Sequence, residues 1–242
     1  MDCAPLAPPA AGSATVRTYE ELIDMVIASL RGRRMLPDGE QSTPWDAFVR
    51  LSERIHSSYH VPHTTVTPVM RRLLFALGAA ARAAHIVGVG THVGYAFSWL
   101  LGDRRELDRA PLDPWQTALG FDVDTSANVV ARRNCAMLGH ETRLAFIDGD
   151  GVSGLERCQA AIDLLFIDLD HPVTRKAGYR DVLERALPRL SSGALVLAHD
   201  SCVPLFQHDF AVYDRFVVES GAFVGPCVLA VDSCGLSVAT VR

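Results

Sequence analysis

The sequence predicts an α/β fold with a doubly wound, mostly parallel sheet of seven strands that ends in an antiparallel hairpin. Three observations support this prediction. Short apolar runs alternate with helical patterns from Ile86 onward, which is typical of parallel strands with helices on both faces. The first run ends in a glycine-rich turn that leads into a helical pattern. The last two runs flank Asp232–Gly235, which indicates a β-hairpin.

The apolar runs and helical patterns give the expected order of elements. The predicted strands are 86–89, 118–123, 143–147, 161–167 and 194–198, followed by hairpin strands 226–231 and 236–241. The helices between them are expected at 95–101, 126–138, 154–159 and 178–189. Before the sheet, Thr18–Glu21 is a capping box that begins one helix, and Thr43–Asp46 combines a cap, a proline and an acid that begin another.

These elements divide the chain into three predicted segments. Residues 1–17 are rich in Ala and Pro and lack the pattern of a secretory signal, so we expect a disordered tail. Residues 18–68 are expected to form an N-terminal helical cap, and residues 69–242 the α/β domain. Residues 56–68 are polar and aromatic, and they are interpreted either as a lid over a ligand or as an ordinary connector.

Composition excludes several classes of protein. With 242 residues, 49% of them hydrophobic, the chain can bury a full core. Its formal net charge of -5 argues against nucleic acid as a partner, because phosphate binding usually needs a basic surface. Apolar runs fall short of the roughly 18–20 residues of a membrane span. The 6 cysteines form no C-x-x-C pair, which favours reduced thiols and a cytoplasmic location.

The candidate site lies at the carboxyl ends of the predicted strands, where doubly wound sheets bind ligands. At the first strand, glycines permit close approach of a ligand, although similar glycines occur in turns that bind nothing. Acids follow each of the next four strands: Asp122 and Asp124, Asp148 and Asp150, Asp168 and Asp170, and Asp200. This anionic cleft suits a ligand that carries hydroxyl groups and positive charge.

These residues resemble those of class I S-adenosylmethionine-dependent methyltransferases, and among them the O-methyltransferases similar to catechol and caffeoyl-CoA O-methyltransferases. The resemblance covers about residues 61–242. Its motifs are G-T-H-V-G-Y at 90–95, F-D-V-D at 121–124, A-R-R-N at 131–134, F-I-D-L-D at 166–170 and D-S at 200–201. It implies a Rossmann-like domain that binds S-adenosylmethionine and transfers the methyl group to a small-molecule substrate.

The resemblance also implies how the cofactor is held. The turn glycines would pass beneath its methionine part, Asp122 would bind the ribose, and Asp150 would border the adenine. Residues 61–67 would lie near the sulfonium, which the ring of Tyr59 could stabilise. The expected cofactor-binding residues are Thr67, Gly88, Gly90, Thr91, Gly94, Tyr95, Asp122, Val123, Gly149, Asp150 and Asp168.

Three departures from the family pattern bear on catalysis. Gly88 stands where the family usually has an acid, so one polar contact to the cofactor is expected to be missing. Ser201 replaces an asparagine of the metal-dependent members, which leaves open whether Asp168 and Asp200 hold Mg²⁺ or a similar cation, or form a metal-free site. His171 replaces a lysine. A histidine side chain has an ordinary pKa of about 6.5, which suits a general base. The alternative interpretation is that His171 is a solvent-facing residue.

The expected catalytic residues are therefore His171, Asp168, Asp200, Ser201 and Tyr59. Lys176 is the only lysine of the chain, which limits the choice of basic groups. Residues 102–116 form a loop that is longer than a typical crossover and is interpreted as part of the cleft mouth or as the contact of a homodimer.

Three functions stay open at this point. The first is methyl transfer to a small molecule, an activity we expect in specialised metabolism. The second keeps the cofactor but attacks its aminocarboxypropyl chain, so that ring closure, as in azetidine-2-carboxylate formation, or transfer to an acceptor releases methylthioadenosine. The third is a non-enzymatic protein that binds the cofactor. The nucleoside that leaves distinguishes the first two.

Overall fold

The computed structural model describes residues 18–39, 42–61, 66–102 and 115–242, which form helices around a seven-stranded sheet. The strands are β1 His85–Val89, β2 Thr117–Asp122, β3 Leu144–Asp148, β4 Ile162–Ile167, β5 Leu190–His199, β6 Phe223–Leu229 and β7 Leu236–Val241. They lie in the order β3-β2-β1-β4-β5-β7-β6. The first five pair in parallel, and β7 runs antiparallel to both β5 and β6. The predicted doubly wound sheet with a closing antiparallel hairpin is confirmed.

The helices of the described residues lie on both faces of this sheet. They are α1 Tyr19–Gly32, α2 Trp45–Ser58, α3 Pro68–Ala81, α4 Tyr95–Leu101, α5 Thr125–Ala136, α6 Gly151–Gly154, α7 Gly178–Ala186 and α8 Gln207–Glu219. None of them has the length and hydropathy needed to cross a membrane. The expected tail at 1–17, residues 62–65 of the expected lid and residues 103–114 of the long loop lie outside the described residues.

Polar side chains set where several helices begin. The capping box at Thr18 is present, because the Thr18 hydroxyl accepts from the Glu21 amide and the Glu21 carboxylate accepts from the Thr18 amide. The predicted N-cap at Thr43 is wrong, because the Thr43 hydroxyl donates instead to the carboxylate of Asp24 in α1. The helix predicted at 154–159 is also displaced. Asp150 accepts from two amides of the next turn, so α6 begins at Gly151 and a 3₁₀ turn follows it.

Each face of the sheet buries its own core because strand side chains alternate between the faces. In β4, Leu164 and Phe166 pack with α1 to α5, whereas Leu165 and Ile167 pack with α7 and α8. All four side chains are buried. The N-terminal helices contribute fully buried residues to the first of these cores, among them Leu30 of α1 and Leu51 of α2. The expected helical cap thus shares a core with the sheet.

Hydrogen bonds tie the N-terminal helices to the antiparallel edge of the sheet. The Thr240 hydroxyl of β7 donates to the Met35 carbonyl over 2.8 Å. Thr67, the N-cap of α3, donates to a carboxylate oxygen of Asp232 in the hairpin turn. The other Asp232 oxygen accepts from the Cys234 and Gly235 amides. This contact fixes the hairpin turn beside the beginning of α3, at the edge where the parallel strands end.

A carboxyl group on α8 gives a test of the packing on the second face. Asp214 is half-buried, and its Oδ1 is buried without a hydrogen-bond partner. Burial raises the pKa of this carboxyl from 3.8 to about 6. The folded state therefore binds the Asp214 proton more tightly than the unfolded state does. Its contribution to stability is present at low pH and is lost as the pH rises from about 4 to about 6.

Asp214→Asn keeps the shape of the side chain and removes the buried charge, so we expect it to stabilise the protein above pH 6. Thermal melting at pH 7.5 should show a Tm about 2–4 °C higher, the shift that roughly 1 kcal/mol gives in a domain of this size. Near pH 4 the gain should disappear. Glu219→Gln, at an exposed position of the same helix, is the control and should change Tm little. A gain for Asp214→Asn that is the same at both pH values would contradict this account.

Candidate active site

A cavity of about 980 Å³ opens where the parallel strands end. It is lined by the turn after β1, by acids that follow β2 to β5, and by the turn between β6 and β7. A volume of this order holds a ligand of nucleoside size or larger. The acids that the sequence analysis placed at successive strand ends are therefore brought together, apart from Asp148, which is not among the described lining residues and pairs with Arg132 instead.

Gly90 determines how closely the turn after β1 approaches the end of β4. Its φ is 79°, in the left-handed region that favours glycine. A Cβ atom at this position would lie 2.4 Å from the backbone of Leu169. The amides of Gly90 and Thr91 donate to the Phe121 carbonyl over 2.8 and 3.3 Å. The glycine turn is thus held between β2 and β4, with its backbone lining the cavity.

The other two turn glycines have packing roles. A Cβ on Gly88 would lie 2.8 Å from the Phe97 ring, inside the helix layer. Gly94 is the N-cap of α4, has a φ of 75° and faces the side chains of α5 and β3. Neither residue is among the described lining residues of the cavity, so their expected contact with the cofactor is not supported. The lining does include Thr67, Gly90, Thr91, Tyr95, Asp122, Val123, Gly149, Asp150 and Asp168.

Asp122 is fixed by two backbone amides at the end of β2. One carboxylate oxygen accepts from His92 over 2.7 Å, and the other accepts from Asp124 over 2.9 Å. A carboxylate has about four lone-pair directions, so two remain for a ligand. Asp124 itself is the N-cap of α5, where it accepts from the Ser126 and Ala127 amides. The carboxylate of Asp122 therefore faces the cavity in a set orientation.

The β3 side of the cavity combines an exposed apolar side chain with a polar turn. Val123 is 74% exposed and offers an apolar wall. Gly149 and Asp150 also line the cavity, and Asp150 accepts from the Val152 and Ser153 amides. An apolar surface beside polar groups is an environment that suits a planar base.

At the far end of the cavity a buried lysine bridges two carboxylates. The Lys176 side chain is 2% exposed, and its Nζ lies 2.8 Å from Asp200 Oδ2 and 3.3 Å from Asp168 Oδ1. The rings of Tyr179 and Phe206 lie 5.3 Å from the same ammonium. Lys176 is not among the site residues expected from the sequence. The sequence does contain a signal for this role. Lys176 is the only lysine of the chain, and it lies between the F-I-D-L-D motif and Tyr179.

His199 completes this cluster and was also missed. Its Nδ1 lies 3.2 Å from Asp168 Oδ1 and 3.3 Å from Asp200 Oδ1. Burial by itself would lower the pKa of His199, but the Asp168 and Asp200 carboxylates together outweigh burial and the pKa is raised. For Lys176, burial likewise opposes the charge, while Asp168 and Asp200 raise the pKa. The negative charges of Asp168 and Asp200 are thus balanced by Lys176 and His199, whose raised pKa values favour the protonated forms of these two basic groups.

The residues expected to bind a metal do not fit a divalent cation. Mg²⁺ requires oxygen ligands that are free of competing cations. Here the oxygens of Asp168 and Asp200 already meet Lys176 and His199. Ser201, the expected third contributor, is buried and is not among the described lining residues of the cavity. Asp200, His199 and Cys234 do bring ligand atoms within 4.8 Å of one another, but the same Asp200 is paired with the lysine.

His171 lies at the cavity, but its ring is already used by its own loop. Nδ1 accepts from the Val173 and Thr174 amides over 3.2 and 3.1 Å. The His171 backbone also pairs with Arg175. In the neutral ring the proton then lies on Nε2, and the nitrogen that could accept one is occupied. This geometry argues against the expected role of His171 as a general base and favours the alternative of an exposed loop residue.

Tyr59 lies away from the cavity. Its hydroxyl is 2.8 Å from Ser98 Oγ of α4, and the ring packs against the first core. Asn134 of the A-R-R-N motif explains this position. Its side-chain amide donates to the carbonyls of His60 and Val93, and its oxygen accepts from the His60 amide. The expected contact of the Tyr59 ring with a sulfonium is therefore not supported, because Asn134 holds this segment against α5.

Comparison with known proteins finds a methyltransferase domain and similar solved structures. Residues 87–201 match the family model described as a methyltransferase domain. No curated protein matches the sequence. Among solved structures, a putative O-methyltransferase from Klebsiella pneumoniae is 20% identical with a TM-score of 0.60, covering 93% of this chain and 100% of its own.

Two further solved structures have similar values. The O-methyltransferase from Bacillus cereus, described in complex with SAH, is 16% identical with a TM-score of 0.60, covering 92% of this chain and 100% of its own. The O-methyltransferase TomG from Streptomyces achromogenes, described in complex with SAM, is 17% identical with a TM-score of 0.61, covering 91% and 96%. The resemblance inferred from the sequence is confirmed: the chain has the fold of the class I O-methyltransferases. The matched domain supports a S-adenosylmethionine-dependent transferase.

Gly90→Ala tests the close approach of the glycine turn to β4. The new Cβ would meet the Leu169 backbone in a left-handed conformation that alanine disfavours. We expect Tm to fall by about 4 °C or more and the cavity to lose its affinity for S-adenosylhomocysteine, measured by melting and calorimetry. Gly32→Ala is the matched control. A Cβ there meets nothing within 4 Å, so Tm and affinity should stay unchanged. Equal behaviour of the two variants would refute the role assigned to Gly90.

Proposed function

We propose that the protein is a methyltransferase that transfers the methyl group of S-adenosylmethionine to a small molecule. The observation that carries the proposal is the carboxylate of Asp122, which two amides hold at the cavity beside the glycine turn. Its two remaining acceptor directions match the two hydroxyls of a ribose. The methyltransferase domain match and the described complexes of two structural neighbours with SAH or SAM support the choice of cofactor.

The rest of the cavity accommodates the other parts of this cofactor. The adenine would lie between Val123 and the turn at Gly149–Asp150, and the methionine part would lie along the backbone of Gly90 and Thr91, all of which line the cavity. The sulfonium and amine are positively charged, and Asp168 and Asp232 line the neighbouring surface. A cavity with carboxylates on this side therefore attracts the cofactor more than it attracts the neutral thioether that remains after transfer.

The acceptor enters at the end of the cavity formed by Lys176, His199 and Asp200. Its nucleophilic atom attacks the sulfonium methyl in line, and a new bond to carbon forms as the carbon–sulfur bond breaks. S-adenosylhomocysteine leaves, and the acceptor proton passes to solvent. Because His171 is engaged by its loop, we assign the protein the tasks of positioning and electrostatic stabilisation. The Lys176 ammonium has three N–H donors, of which two meet Asp168 and Asp200, so one can hold an acceptor oxygen.

A second function is considered because Lys176 and His199 already pair with Asp200 and Asp168, the two acids at the acceptor end of the cavity. In this reaction the amine of the cofactor attacks its own γ carbon, a nitrogen–carbon bond forms and the carbon–sulfur bond breaks. The products are methylthioadenosine and azetidine-2-carboxylate, and the amine proton passes to solvent. Transfer of the aminocarboxypropyl group to an acceptor is a related outcome. Because these two acids already have internal partners, they are less available to an acceptor, which favours a reaction that needs little or no second substrate.

We further propose that the protein acts in specialised metabolism, in the cytoplasm. One structural neighbour is described as involved in tomaymycin synthesis, which supports the metabolic part. Within the described part of the chain, the cysteines at 135, 158, 202, 227 and 234 form no disulfide, which supports a reducing compartment. The homodimer remains a proposal that sedimentation can test, since residues 103–114 of the loop that suggested it lie outside the described residues.

Asp122→Ala tests the position of the ribose. The variant loses both acceptor directions that face the cavity, so we expect the affinity for S-adenosylhomocysteine, measured by calorimetry, to fall about tenfold or more, the effect of roughly 1.4 kcal/mol. Asp124→Asn, two residues further along the chain, is the matched control, because asparagine at this position preserves the N-cap of α5. Its affinity should stay within about twofold of the wild type. Unchanged affinity in Asp122→Ala would rule out this placement of the cofactor.

The nucleoside product decides between the two proposed reactions. We expect purified protein incubated with S-adenosylmethionine and a panel of hydroxylated aromatic acceptors to release S-adenosylhomocysteine, identified by mass spectrometry, only when an acceptor is present. Methylthioadenosine from the cofactor alone would overturn methyl transfer in favour of ring closure. Binding of the cofactor without either product would support the third hypothesis, a protein that binds it without catalysis.

A further inference from the structure

We propose that the ammonium of Lys176 replaces the divalent cation of the metal-dependent O-methyltransferases, so that the acceptor end of the cavity is closed to metal by the protein itself. The inference rests on the proposed methyltransferase function for its meaning. Its test measures metal binding and can therefore succeed or fail independently of methyl transfer.

The ammonium of Lys176 lies between two carboxylates that follow neighbouring strands. Asp168 follows β4 and Asp200 follows β5, and these two strands pair in parallel. Lys176 Nζ bridges them at 3.3 and 2.8 Å. A metal bound by both carboxylates would need the same oxygens. One buried cation thus already connects the two residues that the sequence analysis expected to hold Mg²⁺.

Lys176 is fixed in this position and cannot easily withdraw from the two carboxylates. Its backbone amide donates to Asp209 Oδ2 over 3.1 Å, which anchors the residue to α8. Its ammonium packs against the rings of Tyr179 and Phe206 at 5.3 Å, both of them buried. Removing a lysine ammonium from such a site would leave two carboxylates without their partner, which is unfavourable in a partly buried position.

The carboxylate of Asp200 is itself held toward the lysine. Its backbone has a φ of 68°, in a region that a non-glycine residue seldom adopts. Its amide donates to the Gly235 carbonyl over 3.1 Å, so the hairpin turn maintains this conformation. His199 contacts both carboxylates from the other side. The cluster therefore has two acids and two basic groups, and it lacks the excess negative charge that attracts a divalent ion.

Titration with Mn²⁺ tests this inference directly. By calorimetry, we expect no saturable binding to the wild type at concentrations up to about 1 mM, where millimolar affinity would be detected. Lys176→Ala should bind Mn²⁺ at least tenfold more tightly, because the two carboxylates lose their internal cation. Lys176→Arg keeps the positive charge and is the control that should behave as the wild type does. In the double variant Lys176→Ala/Asp200→Asn the new binding should be lost.

Two results would overturn the inference. One is saturable Mn²⁺ binding to the wild type that Asp200→Asn abolishes. The other is a folded Lys176→Ala protein, shown by circular dichroism, that binds Mn²⁺ no better than the wild type. If Lys176→Ala does not fold, Lys176→Met replaces it in the same comparison, since its apolar stem preserves packing on Tyr179 and Phe206. EDTA should also leave the rate of any transferase activity within twofold of the untreated rate.

Discussion

The ion cluster of Lys176, Asp168, Asp200 and His199 is the interaction on which the arrangement of the site depends. Burying an ammonium is costly unless it is paired, and removing one partner of a buried pair costs about 3–5 kcal/mol. Lys176 satisfies this requirement with carboxylates from two neighbouring strand ends. Because each group needs the other, the loop after β4 and the turn after β5 are held at a fixed separation, and together they form the end of the cavity.

Another part of the cavity is set by the backbone. The turn after β1 can lie against the end of β4 only because residue 90 has no side chain. Amides from this turn and from the start of the next helix then orient the carboxylate of Asp122. A cofactor with a ribose and a positively charged sulfur would meet rigid backbone and carboxylate groups at one end, and the charged cluster at the other. The transferred group would lie between them.

The site shows why a family resemblance predicts a fold better than a mechanism. The positions matching the cofactor motifs mostly line the cavity, since the topology of the sheet puts strand ends there. The catalytic positions follow local contacts instead. The ring of His171 accepts from the amides two and three residues later, and the hydroxyl of Tyr59 bonds to α4. Both side chains are therefore occupied by neighbours that the motif does not include.

The sequence by itself determined the sheet, its closing hairpin and the acids at the strand ends. These features arise from periodicity and turn chemistry, which act between residues close in the chain. The bounds of a helix were harder to predict where a single capping residue determines the first helical residue, as Asp150 does for α6. Only the tertiary structure decided that Lys176 pairs with Asp200 and that Asn134 holds the segment at His60. Such pairings depend on which strands lie side by side, and no local pattern encodes that distance.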